Sequence, residues 1–70
     1  MIETKELGAL LKNRRKTLNI HQKDLSEISG VALHTVSDIE SGKGNPTLTV
    51  MNKLCDVLGL ELLVQVKRNN

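Results

Sequence analysis

The sequence predicts an all-α fold, a compact bundle of four to five short helices, with a C-terminal β-strand that pairs between subunits. Three observations predict it. Leucines recur at helical spacing in a chain without Phe, Tyr or Trp, so the core is built from Leu, Ile, Val, Met and Ala. Gly30, Gly42 and Gly59 each follow a periodic segment, where a helix needs to stop. From Leu60 onward the period shortens to strict alternation.

Seventy residues make one domain. A chain this short buries only about 60% of the surface its unfolded form exposes, so association with a second copy would add stability. The division expected is a helical domain over residues 1–60, a dimerisation strand over 61–67 and a disordered tail over 68–70.

In the first helix Leu7, Leu10, Leu11 and Leu18 form the apolar side, with Lys12, Asn13 and Lys16 opposite. Thr4 is its expected cap and Glu6 suits its first turn. Asn19, Ile20 and His21 form a short connection. A second helix, from Gln22 to Ser29, turns Leu25 and Ile28 inward and stops at Gly30. The third runs from about Leu33 to Ser41 with Val36 and Ile39 inward. The stretch Gly42-Lys43-Gly44-Asn45-Pro46 reads as a loop. Thr47 then caps a fourth helix with Leu48, Met51, Leu54, Cys55 and Leu58 on one face. In the tail Leu62, Val64 and Val66 alternate with Leu63, Gln65 and Lys67. No second strand pattern exists in the chain to pair with it, so its partner is expected to be the same segment of another copy across a two-fold axis.

Composition removes several classes of function. The lone Cys55 excludes an intrachain disulfide and any multi-Cys zinc cage. It reads as a small hydrophobe on the fourth helix, and His21, His34 and Cys55 lack the spacing of metal ligands. No metal or cofactor is expected. No apolar run approaches the roughly 20 residues that cross a bilayer, and Met1-Ile2-Glu3-Thr4 does not read as a signal peptide, so a cytoplasmic setting without a membrane partner is expected. No Ser/His/Asp arrangement or paired carboxylates suggest an enzyme, and Gly42-Lys43-Gly44 lacks the preceding strand of a phosphate loop. Without aromatic residues to stack on unpaired bases, single-stranded RNA is disfavoured. The net charge of +2 decides little. Its placement says more, because Lys12, Arg14, Arg15 and Lys16 crowd the first helix while Lys67 and Arg68 close the chain.

The second and third helices carry the functional pattern. Ser26 is small where two helices must approach, Gly30 makes the turn and Val31 plugs beneath it. Val36 and Ile39 anchor the third helix, which leaves Leu33, His34, Ser37 and Asp38 outward, where a DNA major groove would meet them. The run from Gln22 to Val31, then Thr35-Val36-Ser37-Asp38-Ile39-Glu40-Ser41-Gly42-Lys43-Gly44-Asn45-Pro46-Thr47-Leu48, resembles the phage-repressor and Xre family of helix-turn-helix regulators over roughly residues 6 to 60. Asn45-Pro46-Thr47-Leu48, with Leu58-Gly59-Leu60-Glu61-Leu62, is similar to the narrower HipB-like antitoxins.

The resemblance implies a lambda-repressor-like bundle and a transcriptional repressor that binds an inverted-repeat operator in double-stranded DNA as a homodimer. It places Leu33, His34, Ser37 and Asp38 against bases, and His21, Gln22, Thr35, Lys43 and Asn45 against phosphates. Arg15 and Glu40 match a pair that the family ties together between the first and third helices. The HipB likeness implies, as the alternative, an antitoxin that neutralises a HipA-type kinase and represses its own operon. Two departures stand out. Ala32 occupies the usual Ser or Thr cap, and Asp38 brings a carboxylate that can accept from a cytosine amino group yet is repelled by phosphates. Several residues keep a bland alternative. Arg15 is a phosphate contact or, more favoured, half of the structural pair. Arg14 is a phosphate contact or a solvated side chain, and His21 a helix cap or a phosphate contact.

Overall fold

The computed structural model describes residues 2–67, so the tail at 68–70 lies outside the described residues. Four helices make the fold: α1 (Thr4–Thr17), α2 (Gln22–Ser29), α3 (Leu33–Glu40) and α4 (Leu48–Leu58). α1 and α2 each pack against both α3 and α4. One core lies between them, built from Leu11, Leu25, Val31, Val36, Ile39, Met51, Leu54, Cys55 and Leu58. Leu7, Ile20, Val50, Val57 and Leu60 close its margins.

The inward stripe of α1 runs through Leu7, Gly8, Leu11, Arg14 and Arg15, spaced by one, three or four residues as one helical face requires. Leu10, expected on that face, is 57% exposed, and Leu18 is also exposed. The apolar pattern alone cannot choose between Leu10 and Gly8; the choice is made by α3, which lies directly on Gly8. A Cβ at Gly8 would fall against the Ile39 carbonyl oxygen and 2.8 Å from that of Glu40. α1 starts at Thr4 rather than being capped by it. Glu3 takes the N-cap position with extended backbone and no side-chain cap, and its carbonyl accepts from Leu7 N–H.

α2 turns Gln22, Leu25, Ser26 and Ser29 toward the protein, and Ile28 faces solvent at 67% exposure. Ser29, four residues beyond Leu25, takes the inward place that Ile28 was expected to hold. In α4, Thr47 accepts from Val50 N–H at 3.1 Å. Leu48 sits in the open first turn and is exposed, while Met51, Leu54, Cys55 and Leu58 are buried.

The expected strand is the main departure. Among the described residues there is no strand, and Leu60–Lys67 run without regular structure. A strand is stabilised by its ladder, and one chain supplies only one side of this one. Leu62 is partly sheltered, whereas Val64 and Val66 are fully exposed.

Candidate nucleic-acid interface

The turn between α2 and α3 is tied on three sides. Gly30 adopts a left-handed φ of 76°, and its N–H donates to the Ser26 carbonyl at 3.0 Å. The Ser26 hydroxyl donates to the Val31 carbonyl at 2.6 Å, and Val31 N–H donates to the Ser29 hydroxyl at 3.2 Å. Ser26 therefore does more than make room, and the contribution of Ser29 is invisible to any periodicity. With Val31 buried, this clasp fixes the angle at which α3 leaves the turn.

The rotation of α3 is set by Val36, Ile39 and Glu40, all buried. Those three leave Leu33, His34, Ser37 and Asp38 exposed along one side, with Leu33 at 46%. Thr35 is half-buried. Ala32 gives α3 no side-chain cap. Beyond α3, Lys43 N–H donates to the Asp38 carbonyl at 2.8 Å and folds the loop back along the helix. A shallow hollow of about 170 Å³ results, lined by His34, Thr35, Asp38, Lys43 and Asn45 among others. Residues proposed for bases and for phosphates thus share one surface. His21 and Gln22 lie elsewhere, at the start of α2. His21 takes the N-cap position, and its N–H donates to the Asp24 carboxylate at 2.9 Å.

Behind the exposed side of α3 lies a buried ionic cluster. Arg15 grips Glu40 with two parallel bonds, Nε to Oε2 at 2.7 Å and Nη2 to Oε1 at 2.8 Å. Its Nη1 donates to the Ile20 carbonyl at 2.9 Å. The Gln22 amide donates to Glu40 Oε1 at 3.1 Å, so Gln22 is partly engaged inside the protein. Burial alone would push the Glu40 carboxyl up; the bonds from Arg15 and Gln22 and the charges of Arg15 and Lys12 outweigh it and hold it below the usual carboxylate range. The bond to Glu40 likewise raises Arg15, against the opposing effect of its own burial. One cluster thus joins α1, α2, α3 and the connection at Ile20. Among the described residues no buried side-chain nitrogen or oxygen lacks a partner.

Arg14 is half-buried and bonded within the protein rather than a solvated side chain. Its Nε donates to the Leu58 carbonyl at 2.8 Å and caps the C-terminus of α4. Cys55 is buried, and burial pushes its thiol up. Among the described residues no group of three or more His, Cys, Asp or Glu is placed to hold a metal ion, and no helix is long and apolar enough to cross a membrane.

A family model described as helix-turn-helix matches residues 11–64. The chain belongs to the Xre-like helix-turn-helix family. It is similar to the "ImmF control region 10 kDa protein" of Bacillus phage phi105, with 31% identity over 64 residues, 91% of this chain and 71% of that one. It is also similar to proteins named as uncharacterized HTH-type transcriptional regulators. The one from Methanothermobacter thermautotrophicus is 33% identical over 55 residues, covering 79% of this chain and 80% of the relative. The one from Sinorhizobium fredii is 30% identical over 57 residues, covering 81% and 75%. DNA binding and transcription regulation are the work of this helix-turn-helix family. Within it, α2, the Gly30 turn and α3 form the motif, and α1 and α4 are the frame that fixes its angle.

Proposed function

We propose that this helix-turn-helix protein is a transcriptional repressor that binds an inverted-repeat operator in double-stranded DNA as a homodimer. The observation that carries the reading is the division of α3 into a buried side, Val36, Ile39 and Glu40, and an exposed side, Leu33, His34, Ser37 and Asp38. In the major groove, His34 and Ser37 offer hydrogen bonds to base edges and Leu33 apolar contact to a thymine methyl. Asp38 accepts from a cytosine amino group. Lys43, Asn45 and Thr35 hold the backbone beside that helix. His21 and the remaining amide hydrogen of Gln22 hold it at the start of α2.

The dimer is proposed to form by pairing of the Leu62, Val64 and Val66 segments; in a single chain Val64 and Val66 are fully exposed and Leu62 is only partly sheltered. Selection of bound sequences from random duplexes tests the whole reading. Enriched sites with two-fold symmetry and half-sites about 34 Å apart, one DNA turn, are the expected result. Recovery of no preferred sequence would refute it.

The same exposed tail supports a second reading, in which a HipA-type kinase covers it and operon repression is autoregulation. Co-expression with a kinase-like protein from a neighbouring reading frame, followed by pull-down, tests this. Retention only by chains with intact Leu62, Val64 and Val66 supports it, and no retention removes it.

A further inference from the structure

The last turn of α1 gathers Arg14, Arg15 and Lys16, and the three charges meet different fates. Arg14 is committed to the Leu58 carbonyl, and Arg15 to Glu40 and the Ile20 carbonyl. Lys16 is exposed and, among the described residues, pairs with no carboxylate. It borders an open hollow of about 430 Å³ together with Arg15, Asn19, Ile20 and His21. No acidic residue lines that hollow. Because Glu40 neutralises Arg15, Lys16 leaves the hollow with one uncompensated positive charge.

The corner is also stiff. Asn19 holds a left-handed φ of 57°, and its N–H donates to the Lys16 carbonyl at 3.0 Å, which keeps these two residues together. The Ile20 carbonyl is held by the same guanidinium that grips Glu40 at the end of α3. A single planar group therefore sets the position of this hollow relative to the reading helix. An ammonium, a side-chain amide and an imidazole around an opening to solvent suit a singly charged, oxygen-rich anion.

We propose that this hollow seats a phosphodiester group of the DNA backbone, with Lys16 supplying the charge and Asn19 a hydrogen bond; this rests on the DNA-binding function proposed above. It shares no lining residue with the hollow at Lys43 and Asn45, so each protomer holds the backbone at separate points whose effects add.

The test is equilibrium binding of the full chain to a selected duplex and to unrelated duplexes over a range of salt. The variants are Lys16→Gln, Lys16→Arg, Asn19→Gly and, for comparison, Lys43→Gln. Asn19→Gly removes the amide while keeping the left-handed backbone accessible. Lys16→Gln is expected to weaken every duplex several-fold without changing their order, and to flatten the log–log salt slope by about 0.9 for each seat lost. Lys16→Arg restores binding, and Asn19→Gly weakens it with little change in slope. If Lys16→Gln and Asn19→Gly bind like the parent while Lys43→Gln loses affinity and slope, the seat does not exist although the protein binds DNA. If the unsubstituted chain binds no duplex, the proposed function itself fails, and the seat with it.

Discussion

Glu40 concentrates more of the structure than any other side chain, because it accepts from α1 and α2 while ending α3. Removing it leaves Arg15 charged, buried and without its partner. Glu40→Ala is therefore expected to cost about 3–5 kcal/mol, read as a shift in the urea midpoint, which is most of the stability of a domain this small. Replacing both ends with apolar residues, as in Arg15→Met with Glu40→Leu, should recover much of that loss, since no lone charge remains. A double variant as unstable as Glu40→Ala would mean that the cluster matters for its geometry rather than its charge. The carboxylate also sets an acid limit. Its folded value is depressed, so its contribution is present above about 4.3 and is lost as pH falls through the folded value. Stability measured from pH 7 downward should hold until that region and then fall, and Glu40→Gln should flatten the fall.

At the scale of the elements, the glycines separate two kinds of constraint. A glycine inside a helix ordinarily costs about 1 kcal/mol relative to alanine, so Gly8→Ala would stabilise α1 if it stood alone. Here the added methyl meets the carbonyls of Ile39 and Glu40, which are backbone and cannot rotate away. The expected sign is reversed: loss of stability of at least about 1–3 kcal/mol, with weakened DNA binding as α3 is pushed from α1. A stabilised Gly8→Ala variant would show that α1 and α3 are not in backbone contact. The helices themselves were legible in the sequence because a following glycine and a 3.6-residue period agree on α2, α3 and α4, with Thr47 marking the start of α4. What was not legible is rotation. Leu10 and Ile28 fit an inward stripe as well as Gly8 and Ser29 do, and only the neighbouring helix decides between them. Arg14 shows the same limit, since the Leu58 carbonyl it caps is far away in the chain. The Arg15–Glu40 bond came from family resemblance rather than from any local signal.

The whole molecule is a rigid frame around one exposed helix, with charge placed at separate points on its surface. If the proposed homodimer neutralises about six to eight phosphates, log affinity should fall against log salt with a slope of roughly −5 to −7. Truncation after Glu61 removes Leu62, Val64 and Val66 and should leave each domain folded but largely monomeric by sedimentation, with symmetric-site affinity strongly reduced. An unchanged dimer would place the interface elsewhere. The alternating tail is where sequence and structure differ most, and the reason is physical: alternation specifies what a strand would bury, but the ladder needs a partner. The surface proposed to read DNA is tested most directly by repeating the random-duplex selection with His34→Ala and Ser37→Ala, both exposed and outside the core. Altered preference at one or two positions of each half-site, worth about 1–3 kcal/mol per base pair, is predicted. Selected sequences identical to those of the parent for both variants would contradict the assignment of α3 as the reading helix.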